Sequence, residues 1–375
     1  NRQYSGAVGR LSTKELEETK QTLVSMLGEG SNAHQLKKYI EEAYDGKKTL
    51  AQATRSLVNA LFGKYGLLVV DGDDTQLKKE WFSYGMKELQ ENVVKSSSEK
   101  IVSELNEDYF VQAATRNINL FHLEDDKRLR ITDSTEYQHA NEQDKLKEFT
   151  SKDVGVYTAN PEKLSPNVLL RPVYQECILP NIAYVGGSGE YAYWMQLGPV
   201  FDAFQIPFPM VVIRNSILEL DARISDKIEK LNLKINDFLL PTEEVIKLFL
   251  SASSEKIELN EERAIIQSLL ESLTSKADDL DSTLVPFVEG ESKKMSKIVD
   301  HIENKFDKVI KRKKNEQLEM IDRIKEKLMP GGVLKERVDN FVPQYLKHGE
   351  AWIDQLIEIT DVIQKQFIIL TTKDN

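Results

Sequence analysis

The sequence predicts an α/β fold: a partial parallel sheet with helices, plus an inserted antiparallel α-helical coiled coil. Three observations carry this. Residues 181–185 and 210–213 read as strands joined by a glycine turn and a helix from Glu190 to about Phe204, the unit from which parallel sheets are built. Leu259, Ile266, Leu270, Leu273, Ala277, Leu280, Leu284 and Phe287 recur mostly four and three apart, which is a coiled-coil seam. Residues 367–370 form an apolar closing strand expected to return to the sheet, which makes the coiled coil an insertion.

The remaining elements follow in order. Residues 11–62 have helical spacing, broken at Gly28, Gly30 and Asn32 and stopped at Gly63. The continuous apolar run 66–71, closed by Gly72, Asp73 and Asp74, reads as a buried strand. Helical spacing resumes over 75–110. Residues 118–121 and 129–131 flank a polar turn at 124–127 and predict a hairpin. The stretch 133–147 is charged and expected to be exposed. Residues 217–254 read as helical. The second coiled-coil helix carries Met295, Ile298, Ile302, Val309, Met320, Ile324 and Leu328, and Pro330, Gly331 and Gly332 stop it. Further helices occupy 333–360. The expected division is an α/β core over 1–255, a coiled coil over 256–330, and helices with the closing strand over 331–375.

Composition narrows the function. The chain has 375 residues and a net charge of −11, which disfavours general nucleic-acid binding because phosphate contacts need a positive field. No apolar run reaches the roughly 18 residues that cross a bilayer. Cys177 is the one cysteine, so no disulfide forms within the chain and a reducing cytoplasm is the expected setting. The five histidines show no metal-ligand spacing, so no metal site is expected. The chain begins at Asn1 rather than at methionine, which suggests a fragment.

Candidate chemistry concentrates in 165–216. Gly186, Gly187, Ser188 and Gly189 sit between a strand and a helix, where free backbone N–H groups suit an anion. Glycines there also serve turn geometry alone. Arg171, Gln175 and Glu176 precede the strand and Tyr184 lies in it. Glu190, Tyr193 and Trp194 follow the turn, and Arg214 and Asn215 end the next strand. Open α/β sheets bind ligands beyond the carboxyl ends of their strands. Core packing accounts for the aromatics, whereas buried charges need partners, which an internal Arg–Glu pair would also provide. Asp71, Asp73 and Asp74 suit either a cation or ribose, or a solvated turn and helix cap. Cys177 reads as a small core residue rather than a nucleophile. Lys294-Met295-Ser296-Lys297 matches a nucleotide-binding signature of class I aminoacyl-tRNA synthetases, but it falls on a predicted coiled-coil helix and is read as coincidence. Two functions stand on the residues alone: a ligand-binding α/β enzyme, or a coiled-coil scaffold.

Residues 165–176, SPNVLLRPVYQE, followed by 179–194, LPNIAYVGGSGEYAYW, resemble the cysteine-adding ligase family of bacillithiol biosynthesis. Arg214, residues 66–74, the coiled coil and the closing strand fit the same pattern. The resemblance implies a Rossmann-like core, a coiled coil that makes a homodimer, and addition of cysteine to glucosaminyl malate. It implies that an amino-terminal part of the family, with a TGQQ-type motif, is missing. ATP is the economical source of carboxylate activation for such a fold, but the resemblance leaves this open. By position it implies Arg171 and Arg214 for substrate carboxylates, Glu176 or Glu190 for an ammonium or as catalytic base, and Tyr184 and Tyr193 as pocket walls. Gln175, the 186–189 turn, Trp194 and Asn215 complete the expected substrate site. A nucleotide-binding α/β protein without ligase activity is the alternative.

Overall fold

The computed structural model describes residues 6–124, 127–139, 146–252 and 259–372. The chain divides into two compact units, Asn1–Asn215 with Phe341–Gln366, and Ser216–Asn340 with Phe367–Asn375.

The first unit opens with helices α1 (Glu17–Met26), α2 (Ser31–Ala43) and α3 (Leu50–Phe62). The spacing of 33–62 suggests continuity, but Gly46 at φ +78° breaks it. Thr49 then starts α3 with a reciprocal cap: its hydroxyl accepts from Gln52 N at 3.3 Å, and Gln52 Oε1 accepts from Thr49 N at 3.0 Å. Residues 66–71 are not a strand, contrary to the expectation. They pair with no strand, and Leu68 is 83% exposed. A continuous apolar run licenses a strand only where a neighbouring ladder takes its N–H and C=O groups. Here Leu68 and Val70 instead wall a cavity.

Helices α4 (Thr75–Glu91) and α5 (Val93–Asp108) meet at Asn92, whose φ of +52° turns the chain between them. The predicted hairpin is present as β1 (Leu120–Glu124) and β2 (Lys127–Thr132), with Leu123 opposite Arg128; Asp125 and Asp126 of its turn lie outside the described residues. The charged stretch that follows holds α6 (Ser134–His139) and β3 (Leu146–Glu148), and β3 pairs parallel to β2; residues 140–145 lie outside the described residues. After α7 (Asp153–Ala159), β4 (Leu164–Pro166) completes a sheet of order β3-β2-β1-β4.

Helix α8 (Arg171–Ile178) leads to β5 (Ala183–Gly186). The helix expected over 190–204 is two, α9 (Ser188–Trp194) and α10 (Gly198–Phe204), because Pro199 starts a new first turn. Strand β6 (Met210–Ile213) then pairs parallel to β5, from Ala183 opposite Met210 to Gly186 opposite Ile213. The predicted strand–turn–helix–strand unit is therefore present. Trp81, Tyr157, Leu169, Val173, Trp194 and Phe201 are fully buried in the core behind it.

The second unit begins with β7 (Ser216–Asp221), where helix was expected. Leu218 and Leu220 are buried while their neighbours are less so, a two-residue period that strong helix formers disguise in the sequence. Helices α11 (Ala222–Lys230), α12 (Thr242–Ala252), α13 (Asn260–Leu280), α14 (Val285–Lys313) and α15 (Asn315–Leu328) follow. Helices α13 and α14 form the antiparallel pair. Arg263 Nη2 donates to Asp300 Oδ1 and Glu303 Oε2, both at 2.7 Å, which fixes their register. Leu270, Ala277 and Val299 are buried. The predicted seam fails toward the turn, where Leu280 is 80% and Phe287 67% exposed. Residues 294–297 lie within α14, as read from the sequence.

Helices α16 (Val342–His348) and α17 (Glu350–Ile359) rejoin the first unit, where Tyr345 and Ile353 pack with Leu36 and Ile40. The closing strand β8 (Phe367–Thr372) does not join β5 and β6. It pairs parallel to β7, with Leu218 opposite Ile369. Strand β7 supplies its ladder instead.

Candidate functional site

Asn167 sets the start of α8. Its Oδ1 accepts from Leu169 N and Leu170 N, both at 3.0 Å, and its Nδ2 donates to Asn119 Oδ1 at 2.8 Å. Asn119 is itself fixed by buried Glu88, whose carboxylate accepts from Asn119 N at 3.0 Å, Asn119 Nδ2 at 2.9 Å and Val94 N at 2.9 Å. A buried carboxylate with three N–H donors is satisfied rather than orphaned. This chain of contacts runs from the core to Arg171, the first residue of α8.

Arg171 is the hub of the site. Its Nη1 donates to Gln175 Oε1 at 3.0 Å, and its Nη2 donates to the hydroxyls of Tyr193 at 2.7 Å and Tyr184 at 3.2 Å. Glu190 Oε1 lies 3.6 Å from the same nitrogen and accepts from the Tyr184 hydroxyl at 2.6 Å. Burial alone raises the Glu190 carboxyl, but the Tyr184 hydroxyl, the Gly187 N–H, Arg171 and Arg214 outweigh it and hold it below the usual carboxylate range. Burial and the Glu190 hydrogen bond push the Tyr184 hydroxyl up to about 12. At neutral pH the cluster thus holds the Arg171 guanidinium, the Glu190 carboxylate and the Tyr184 phenol. Tyr184 stacks on buried Trp194 with centroids 4.3 Å apart and planes at 19°, which fixes its hydroxyl.

The glycine turn has a specific steric cause. A Cβ at Gly186 would lie 2.7 Å from Tyr184 Cε1 and 3.2 Å from Glu190 Cβ, so a side chain there displaces the Tyr184–Glu190 pair. Glu190 Oε2 accepts from Gly187 N at 3.0 Å, so the anion that meets this turn is the protein's own carboxylate. Ser188 and Gly189 are exposed. Arg214, also exposed, follows β6, with its Nε 3.7 Å from the position a Gly187 Cβ would take.

Two expected site residues face other tasks. Glu176 is 3% exposed and accepts from Asn181 N at 2.7 Å and Asn181 Nδ2 at 2.9 Å, closing the turn before β5. Asn215 donates to Asp361 O at 2.7 Å and accepts from Gln366 N at 3.2 Å, tying two backbone segments together. Cys177 Sγ lies 3.9 Å from Glu80 O, and burial followed by Glu80 raises its thiol pKa, which leaves a poor nucleophile.

Arg171 and Gln175 also line a cavity of about 530 Å³ that includes Leu68, Val70, Asp73, Lys78, Leu123, Arg128, Ser165 and Tyr174. Most of these residues are not apparent as a site in the sequence. Lys78 is 2% exposed, forms an ion pair with Asp73, and donates to Glu162 O at 2.8 Å. Arg10 pairs with the other Asp73 oxygen. Asp74 caps α4, accepting from Gln76 N at 2.8 Å. Asp71 Oδ1 accepts from Asp73 N at 2.9 Å, so the three aspartates serve a turn, an ion pair and a helix cap. One signal for Lys78 exists in the sequence: it falls three residues before Trp81, on the buried stripe of α4, where an unpaired ammonium is too costly. Among the described residues no group of His, Cys, Asp and Glu is placed to hold a metal, and no helix is long and apolar enough to cross a membrane.

Residues 1–215 match the family model of the bacillithiol biosynthesis BshC N-terminal Rossmann-like domain, and residues 217–372 match that of the BshC C-terminal coiled-coil domain. A Flavobacterium johnsoniae protein named "Putative cysteine ligase BshC" is 35% identical over 374 residues, 99% of this chain and 70% of that protein. Proteins of the same name from Flavobacterium psychrophilum and Christiangramia forsetii are each 35% identical, over 99% and 97% of this chain and 70% and 68% of theirs. The two matched domains meet at the boundary between β6 and β7, where the Arg171 site ends and the helical unit begins, and together they show that this chain belongs to the BshC family, a ligase family of bacillithiol biosynthesis.

Proposed function

We propose that this protein is a cytoplasmic ligase in which the carboxyl group of cysteine, activated at the expense of a nucleoside triphosphate such as ATP, is attacked by the amine of glucosaminyl malate, so that the activating phosphate or nucleotide leaves as the amide of bacillithiol forms. The observation that carries the reading is the Arg171 hub, which opens on a cavity rich in cationic side chains. Both substrates carry carboxylates, and a guanidinium already oriented by Gln175, Tyr184 and Tyr193 binds one without first losing freedom. Arg214 is the second carboxylate partner, and the ammonium of cysteine fits the Glu190 carboxylate. Glu190, held below the usual carboxylate range, orients rather than takes a proton, and Glu176 positions β5 from beneath. Titration calorimetry with cysteine, glucosaminyl malate and ATP tests this. Binding of cysteine and glucosaminyl malate in the micromolar to millimolar range is expected; binding of ATP alone would favour a nucleotide-binding protein without ligase activity.

The coiled coil is the proposed homodimer contact. Ile265, Leu269 and Leu280 on α13 and Ile298, Ile302 and Val309 on α14 are 41–80% exposed, leaving apolar surface that the α13–α14 pair does not bury. Light scattering is expected to give a dimer for the whole chain and a monomer once residues 260–313 are replaced by a short linker. A monomer in both cases excludes this contact.

A further inference from the structure

Among the described residues, Arg128 is the cation lining the cavity that no carboxylate pairs with. It stands on β2 opposite Leu123, on the sheet face that borders the cavity. Its guanidinium carbon lies 3.7 Å from the centroid of the Phe121 ring, and its Nη2 donates to Pro166 O at 3.2 Å. Among the described residues no carboxylate forms an ion pair with it, and burial lowers its pKa without compensation. The other cations that line the cavity are matched: Lys78 pairs with Asp73, and Arg171 has Glu190 within 4 Å. A half-buried guanidinium held over a ring, with one of its five N–H groups used by a carbonyl, keeps donors for a bidentate acceptor. Desolvating a cation without a partner is costly, so a structural role alone is a poor reason to keep arginine where an apolar residue would pack on Phe121.

We infer that Arg128 is a specificity-determining residue of this cavity, whose guanidinium receives a carboxylate of the malyl part of the acceptor substrate. Arg171, on the neighbouring α8, faces the same cavity, so one ligand with carboxylates spaced along it engages both. The inference rests on the ligase reading above for the identity of the ligand, but not for the existence of the carboxylate site. The neutral wall of Leu68, Val70 and Leu123 does not reward a ligand in which the malyl group is replaced by methyl. Arg128 therefore separates carboxylated from uncarboxylated glycosides.

The test compares the unaltered chain with Arg128→Gln and Arg128→Lys, using glucosaminyl malate, methyl glucosaminide and malate alone as probes, and NMR line broadening for the weak ligands. Arg128→Gln can keep the hydrogen bond to Pro166 O and loses the charge. It is expected to weaken glucosaminyl malate and malate about 10- to 100-fold while methyl glucosaminide is unchanged, with Arg128→Lys between. Equal weakening of all three probes, or of none, overturns the role of Arg128. If malate binds in an Arg128-dependent way but glucosaminyl malate does not bind at all, the ligase reading falls and the carboxylate site stands. If the unaltered chain binds none of the three, both fall.

Discussion

Replacing Asp73 with alanine is expected to lower folding stability by about 3 kcal/mol, the cost of leaving a buried ammonium without its partner. Lys78 is 2% exposed and its remaining acceptor is the neutral Glu162 carbonyl. The companion variant Arg10→Ala removes a cation that is about a third exposed, and surface pairs contribute only about 0–1 kcal/mol. The double change Asp73→Ala with Lys78→Met is expected to recover most of the loss, because it removes the stranded charge together with its partner. Burial raises the Asp73 carboxyl, but hydrogen bonds and charge from Arg10 and Lys78 win and hold it below its ordinary value. A lowered folded-state pKa adds stability that is present above the unfolded pKa and is lost as pH falls through the folded one. The gap in urea midpoint between the parent chain and Asp73→Ala should therefore be full at neutral pH and narrow below about pH 5. A loss under 1 kcal/mol, or a gap that widens in acid, would mean that Lys78 is not held by this pair.

This ion pair joins residues that no local pattern in the sequence connects to the site, whereas other parts of the fold are legible. The β5–turn–α9 segment is legible because its determinants are local. Glycines, Ile182 just before the strand, Val185 within it and a glutamate three residues into a helix act within ten residues of one another. The contact of Arg171 with Gln175 is an i,i+4 pair on one helix face and belongs to the same class. Lys78, Arg128 and Leu68 meet only through the tertiary fold, and no spacing rule links positions so far apart. The run 66–71 was apolar for a reason that pattern alone does not distinguish: it lines a cavity rather than filling a sheet. Strand β7 was hidden by Leu and Glu, which suit helices when read singly, and its partner β8 lies some 150 residues away. The closing strand was recognised as a strand, yet its sheet could not be assigned without β7. Trp194 was expected at the ligand and is instead fully buried, where it acts through the ring of Tyr184 stacked upon it.

Arg171 carries the largest expected effect on binding. Its guanidinium donates to three side chains and faces Glu190, so Arg171→Lys removes the fork while keeping the charge. One ammonium cannot reproduce the spread of directions toward Gln175, Tyr184 and Tyr193. We expect glucosaminyl malate to bind about 100-fold more weakly to Arg171→Lys, close to the loss in Arg171→Met, since each hydrogen bond to a charged group is worth about 1.5–3 kcal/mol. Tyr193→Phe removes only the 2.7 Å contact and should cost about tenfold. The two are coupled: once Arg171 is gone, Tyr193→Phe should have little further effect, and a double-mutant cycle in calorimetric affinity measures that coupling. Thermal melts separate this from general damage. Arg171 is partly exposed and its loss strands no fully buried charge, so the melting temperature should fall by only a few degrees while affinity falls by two orders of magnitude. Parent-like affinity in Arg171→Lys would show that charge alone suffices and that the network around the guanidinium serves folding. Additive losses in the cycle would show that Tyr193 does not act through Arg171. The combination expected here, no rescue by lysine and strong coupling to Tyr193, is what a pre-oriented carboxylate fork requires, because its affinity comes from geometry that the free protein already holds.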